Sequence, residues 1–318
     1  MYNSVAKTVR SGRRSVAALA AGVVLMACGT SSTTSPSTTS GNGTGGTVVE
    51  IVAGENFWGS IASQLGGDHA RVINIITSPD ADPHDYEPTP ADARTMSRAQ
   101  IVIANGVGYD PWVAKLVAAD NSRAAVIDVG KLVGAADGTN PHRWYNPADV
   151  QTVVDQIVEQ LQRVDPADSG YFDAQKVAFN TVALKDYNAT IADIKAKYSG
   201  TPVGASESIV AMLAPALGLD LITPSSFLKA ISEGSDVSAG DKATIDQQIR
   251  SHAIKIYVYN SQNVTPDVRA QLDAVNARRI PVATITETLT PATASYQQWQ
   301  TAQLKGIEAA LDQAVPGK

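Results

Sequence analysis

Short apolar runs rich in β-branched residues alternate along this chain with segments whose apolar residues recur every three or four positions. Residues 48–53 form one such run, bounded by Gly54, and predict a strand. Residues 57–65 have helical spacing and stop at Gly66 and Gly67. The pattern continues with a strand at 71–77, a helix at 91–99 and a short buried strand at 101–104. Asp110 stands where it could cap a helix that has Pro111 in first position, and 124–129 predict a further strand. Strands alternating with helices indicate βαβ units, and hence a parallel sheet covered on both faces.

From 149 to about 199 the strand signal disappears. One helix is predicted over about 147–163. Residues 168–198 then read as a single long helix, with Leu184, Tyr187, Ile191, Ile194 and Tyr198 on one stripe. At about 1.5 Å per residue it would be a rod roughly 45 Å long. The alternation restarts with strands at 202–205, 219–223, 254–259 and 281–285 and helices at 208–217, 243–251, 266–277 and 292–314. The expected fold class is therefore α/β. Two lobes, at 48–166 and 199–318, would each carry a mostly parallel sheet, joined by one rigid connecting helix at 167–198. Ligands in such folds bind at the carboxyl ends of strands and between lobes, which puts the expected site in the cleft.

The segment before the first strand changes this picture little but locates the protein. Lys7, Arg10, Arg13 and Arg14 are the only charges before Cys28. The apolar run at 16–27 that follows is too short for a bilayer span of about 20 residues. It ends in Leu25-Met26-Ala27-Cys28, which resembles a bacterial lipobox. Residues 1–27 are read as a lipoprotein signal peptide and Cys28 as the lipidated residue, whose acyl chains give stable anchoring. The Arg13-Arg14 pair leaves the export route open between the general and twin-arginine pathways. Residues 28–47 are then the lipidated cysteine and a Ser/Thr/Gly tether, without charge or large apolar side chains from 30 onward. The expected location is the outer face of the cytoplasmic membrane. Cys28 is the sole cysteine, so no disulfide within the chain is available. Losing the four positive charges of the signal takes the formal net charge from −6 to −10. An acidic body without a basic run argues against nucleic acid as a partner. The apolar share, 44%, is enough to give both lobes a core.

Candidate chemistry sits in the loops. Of the chain's four histidines, two occupy the same frame, [Asp/Asn]-Pro-His-x-[Tyr/Trp], with another proline close behind: "ADPHDYEPTP" at 81–90 and "TNPHRWYNP" at 139–147. A solitary loop histidine is most often a solvated surface residue, but two in one frame point to a shared role. Pro83 and Pro141 restrict the backbone beside His84 and His142, which lowers the ordering cost of binding. Glu207 and Glu287 each follow a predicted strand by two residues in the second lobe. Two imidazoles and two carboxylates at four loop positions would form a mixed N/O metal site, with Asn146, Asp82 and Asp85 as outer partners for a ring N–H. Glu233 and Asp236 also stand where they could face the cleft. His69 and His252 lack the frame and read as surface or helix-end residues.

These motifs carry a resemblance. The chain from about residue 48 to its end resembles the metal-binding substrate-binding proteins of zinc- and manganese-type ABC importers. "ENFWGSIASQLGGDHARV" resembles that family's first helix and second strand, "DPHDYEPTP" and "NPHRWYNP" its histidine motifs, and "SESIVAMLAPALGL" the segment opening on its third ligand. "TITETL" stands where an aspartate is usual, so Glu287 departs from the pattern by one methylene. The resemblance implies that His84, His142, Glu207 and Glu287 ligate one divalent ion as transported cargo. It also implies limited lobe motion and delivery to an ABC permease with a cytoplasmic ATPase, with the protein acting as a monomer. Glutamate at 207 resembles the manganese-associated form, and the chain lacks a His-rich acidic loop. Manganese is thus the favoured cargo and zinc the second. The remaining alternatives are a tethered surface adhesin or scaffold and a secreted metallohydrolase. Four protein ligands would close a tetrahedral site, and neither His-Glu-x-x-His nor Gly-x-Ser-x-Gly occurs, so a non-enzymatic role is expected.

Overall fold

β-branched and small residues let β1 (Val49–Glu55) sit buried on both faces, as a central parallel strand must. In a computed structural model, which describes residues 48–78, 81, 83–119 and 123–316, the chain runs from β1 into α1 (Asn56–Gly66) and β2 (Ala70–Ile76). It continues through α2 (Pro90–Met96), β3 (Ile101–Ala104), α3 (Pro111–Ala119), β4 (Ala125–Asp128) and α4 (Val129–Leu132). The strands form a parallel four-stranded sheet in the order β2-β1-β3-β4. Thr89 starts α2 by exchanging hydrogen bonds with Asp92 in a capping box, with Pro90 in the first turn.

Helix α5 (Pro147–Val164) buries Val150, Val153, Val154, Ile157, Val158 and Leu161, one stripe at helical spacing, against α1. The expected single connecting rod is interrupted. Helix α6 (Ser169–Ala178) passes into a π-helical turn at Phe179–Ala183 before α7 (Lys185–Tyr198), and Leu184 N–H donates to the Phe179 carbonyl at 2.9 Å. The apolar spacing explains it. Phe179 and Leu184 are five residues apart, which an unbroken α-helix would send to different faces. One wider turn brings both into the core with Tyr187, Ile194 and Tyr198.

The second lobe repeats the first. β5 (Pro202–Ala205), α8 (Ile209–Leu217), β6 (Asp220–Leu221), α9 (Ser225–Ser232), α10 (Ala239–Arg250), β7 (Ile256–Asn260), α11 (Pro266–Ala277), β8 (Val282–Ile285) and α12 (Tyr296–Ala314) follow in turn. The sheet is parallel in the order β6-β5-β7-β8, the same permutation as the first. Ala53 pairs with Ile103 in one sheet and Ala205 with Val258 in the other. Two residues onward, this register makes Glu55 and Asn105 the counterparts of Glu207 and Asn260. The order reverses beside β1 and β5, so both pairs sit at switch points at the carboxyl ends of the strands.

One apolar core runs through both lobes and includes Phe57, Trp144, Tyr145, Tyr296 and Trp299. Polar ties reinforce it. Tyr296 Oη donates to the Trp144 carbonyl at 2.6 Å, Tyr145 Oη to the Thr286 carbonyl at 2.7 Å, and Gln64 and Gln297 exchange hydrogen bonds. Helix α12 packs on both α7 and β8 and also touches α1. The lobes are therefore joined by a shared core as well as by the connector. No helix among the described residues is long and apolar enough to cross a membrane.

Candidate metal centre

In the first lobe, the site is built by fixing loops to the sheet. Asn105, at the end of β3, accepts a hydrogen bond from Trp58 Nε1 at 3.1 Å and donates Nδ2 to the Pro141 carbonyl at 2.9 Å. The indole can only donate, so the amide orientation is set, and with it the loop that carries His142. His142 is buried, and its Nδ1 faces Asn140 Oδ1 at 2.9 Å and Ser208 Oγ at 3.2 Å. Asn140 Oδ1 also accepts from the His142 backbone N–H, while its Nδ2 donates to the Ser208 carbonyl at 2.6 Å. Both contacts identify Oδ1 as the acceptor. The proton of His142 therefore sits on Nδ1, and Nε2 is the basic nitrogen. Burial, then the neighbouring His84, depresses the His142 pKa to about 3, so the ring is neutral at ordinary pH.

His84 lies at the exposed mouth of the same cleft, with Nδ1 3.2 Å from the Gly108 carbonyl. A carbonyl accepts only, so Nδ1 is the donor in this contact. The turn that offers this carbonyl has positive φ at Gly106, Val107 and Gly108, and φ of 57° is unusual for a β-branched valine. A Cβ at position 106 would stand 2.4 Å from Asp128 Oδ1, which explains the glycine there. The turn delivers Tyr109, whose ring lies edge-on to both His84 and His142.

The second lobe supplies carboxylates. Glu207, almost wholly buried after β5, receives Asn260 Nδ2 at 2.8 Å and Asn263 Nδ2 at 2.8 Å. Asn260 Nδ2 also donates to Glu287 Oε1 at 2.9 Å, while its Oδ1 accepts from the Gln262 backbone N–H. Tyr109 Oη donates to Glu287 Oε2 at 3.1 Å from across the cleft. Burial, then the negative charge of Glu287, holds Glu207 well above the usual carboxylate range, and the two asparagines oppose this. Burial, then Glu287, also raises Tyr109, keeping its hydroxyl a donor.

His142, Glu207 and Glu287 each present a ligand atom within 4.8 Å of the others. His84, His142 and Glu287 line one cleft of about 810 Å³, with Pro83, Asn263 and Gln262 among the other walls. Three of the four sequence-selected residues, His142, Glu207 and Glu287, thus bring ligand atoms together, while His84 stands outside that group at the mouth of the same cleft. Several outer assignments change. Asn146 caps α5 by accepting from the Ala148 N–H, and Asn140 occupies the role expected of it. Asp110 turns its carboxylate back onto the Asn105 and Gly106 N–H groups, at 2.7 Å each, rather than forward onto α3. Glu233 lines the cleft but is exposed and pairs with Lys229, and Asp236 is exposed outside the lining. Asp85 lines the cleft mouth and is exposed. His252 is exposed beyond the end of α10, as expected, whereas His69 is half-buried against Asp168. Asp82, Cys28, the signal peptide and the tether lie outside the described residues.

Sequence reading passed over Asn260, Asn263, Tyr109 and the Glu55–Asp110 pair. Glu55 is fully buried, and neither of its oxygens finds a donor. Its neighbour Asp110 is itself an acceptor. Burial, then the charge of Asp110, raises Glu55 well above the ordinary range, while burial lifts Asp110 to about 6. A proton on Glu55, shared toward Asp110, satisfies both groups.

A family model described as zinc-uptake complex component A, periplasmic (ZnuA), matches residues 51–310. The manganese-binding lipoprotein MntA of Halalkalibacterium halodurans is 29% identical over 136 residues, which span 41% of this chain and 45% of MntA. The manganese ABC transporter substrate-binding lipoprotein PsaA of Streptococcus anginosus is 24% identical over 247 residues, 70% of this chain and 76% of PsaA. The chain thus spans less than half of the first relative. Among solved structures, the Mn-bound periplasmic metal binding protein of candidatus liberibacter asiaticus superposes with a TM-score of 0.68. Its identity is 18%, over 83% of this chain and 99% of that one, a likeness of fold.

Proposed function

This chain belongs to the zinc-uptake complex component A family, and from that premise we propose that it captures a divalent transition metal outside the cytoplasm and hands it to an ABC permease served by a cytoplasmic ATPase. The observation that carries this reading is the convergence of His142, Glu207 and Glu287, from two lobes, to within 4.8 Å. His84 completes an N2O2 set. The His142 imidazole is neutral and presents Nε2 as the basic nitrogen, so it enters coordination without losing a proton. Glu207 enters differently: a dication replaces the proton that burial and Glu287 favour there, so capture releases protons and weakens as pH falls.

Manganese is our assigned cargo because half the donor set is hard oxygen, and carboxylates can bind through one or two atoms. Zinc is the competitor that the usual affinity order favours. The shared core and cross-lobe hydrogen bonds support a small closure, which would tell the permease whether the cleft is loaded. Cys28 would tether a monomer to the outer face of the cytoplasmic membrane.

Elemental analysis of protein purified without chelator tests the assignment. One manganese per chain, exchangeable for zinc, is the expected result, and zinc alone would reassign the cargo. His84→Ala should lower affinity for the ion in the cleft. Unaltered calorimetric stoichiometry and affinity would remove His84 from the site.

A further inference from the structure

We propose that the chain carries a second divalent-cation site, of the zinc class, formed by His69, Asp165 and Asp168 at the base of the first lobe. The three residues present ligand atoms within 4.8 Å of one another. His69 ends the 3-10 turn Gly67–His69 between α1 and β2, so it stands at the amino ends of the strands. The cleft lies at their carboxyl ends. β2 has seven residues, so at about 3.3 Å per residue the two places are roughly 20 Å apart. Asp165 precedes and Asp168 ends the short 3-10 turn Pro166–Asp168, where α5 turns into the connector.

An ordinary ion pair explains part of this cluster. His69 Nδ1 meets Asp168 Oδ2 at 2.5 Å, and the ring stacks on Tyr171 at 4.1 Å, which fixes its plane. It does not explain Asp165. Its Oδ2 is shut off from solvent, has no hydrogen-bond partner, and belongs to a residue beside another carboxylate. A protonated imidazole would still leave the trio with one net negative charge. A divalent ion beside a neutral imidazole leaves none.

The donor set, one imidazole and two carboxylates, suits zinc, with water in the fourth position. Ligands at about 2.0–2.2 Å in a tetrahedron stand about 3.3 Å apart. On binding, the His69–Asp168 contact therefore opens and Asp165 swings inward. The half-exposed setting makes this the weaker of the two sites. Its occupant would pin the start of the connector to the α1–β2 turn.

The test is zinc stoichiometry of the full chain by equilibrium dialysis and elemental analysis, with Co²⁺ absorption reporting coordination. The cleft is blocked by H142A with Glu207→Gln. Blocking it should remove one equivalent of zinc and leave one. Adding Asp165→Asn should remove that one and its Co²⁺ absorption. In the otherwise unchanged chain, Asp165→Asn should lower zinc by one equivalent and leave cleft affinity unaltered. That single variant keeps the test intact should the blocked chain fold poorly. Equal zinc with and without Asp165→Asn overturns the second site and leaves the cleft reading untouched. A blocked cleft that loses no zinc counts against the cleft reading instead.

Discussion

The two lobes place Glu55 with Asn105, and Glu207 with Asn260, at matching register in sheets of the same strand order, but they use the pairs in different ways. In the second lobe, Asn260 donates to both Glu207 and Glu287, and the buried Glu207 brings a carboxylate oxygen within 4.8 Å of His142 and Glu287. In the first, Asn105 serves Trp58 and the Pro141 carbonyl, and the glutamate is sealed in the interior against Asp110. The first lobe's cleft donors are imidazoles delivered by loops. A neutral imidazole needs only orientation, which a carbonyl, an amide oxygen and ring packing supply. Two adjacent carboxylates need compensation for charge as well. His142 is already in its binding form, whereas Glu207 is a donor whose binding form the metal must help to stabilise.

The largest effect should come from removing a donor on the carboxylate side. Glu207→Ala takes away a proposed ligand and leaves Asn260 and Asn263 with an amide hydrogen each to satisfy. Metal affinity should fall by more than the roughly 100-fold upper range seen for outer partners, with calorimetry as the readout. Near-normal affinity would mean that the histidines and Glu287 suffice, and the comparison between lobes would collapse.

Next come the two amides that hold the donors. Asn260→Ala withdraws the hydrogen bond shared by Glu207 and Glu287, and should cost roughly 10–100-fold in affinity. Asn140→Ala withdraws one partner of His142 but leaves Ser208 Oγ at 3.2 Å and edge contacts from Tyr109 and Trp144. Its cost should fall at or below the lower end of that range. The sharper distinction is in pH dependence. Without Asn260 the carboxylate pair holds its proton more strongly, so affinity should drop further at pH 6 than at pH 8, whereas Asn140→Ala should shift both equally. The opposite ranking would reverse the roles assigned to the lobes.

Periodicity made the strands and most helices legible, because buried parallel strands leave unbroken β-branched runs and amphipathic helices leave stripes. The duplicated proline-histidine frame made both histidines of the proposed site legible. Other features depended on three dimensions. The π turn follows from Phe179 and Leu184 needing one face, a constraint visible only once Phe179 joins the stripe that runs on from Leu184. The two-residue β6 is shorter than the predicted strand 219–223, since only Asp220 and Leu221 pair in register with β5, although the Ile222 N–H still donates to the Val203 carbonyl. Asn140 rather than Asn146 holds His142 because a residue two before the ring can fold back on it, while Asn146 is committed to a helix start. Asn260 had a local signal, an asparagine closing a buried strand as Asn105 does, but its two carboxylate partners come from distant loops.

The smallest effect on binding, and the best probe of what the first lobe does with its glutamate, is Glu55→Gln. The amide keeps the size and can donate to Asp110 as the protonated acid does, so metal affinity should stay within about two-fold. Stability of the metal-free chain should respond differently. Glu55 has a folded-state pKa above its unfolded value of 4.5, so folding takes up a proton. That contribution is fully present below about pH 4.5 and is lost as pH rises through the folded value, by at most about 1.4 kcal/mol per pH unit per proton. His142, depressed to about 3, has the opposite slope and loses stability as pH falls below 6.5. Because it is common to both chains, it cancels when the variant is subtracted from the parent. The difference in stability, from denaturant melts between pH 5 and 8, should therefore move in favour of the variant as pH rises. Parallel curves would mean that Glu55 is ionised in the folded chain, and that its burial beside Asp110 is balanced by something other than a proton.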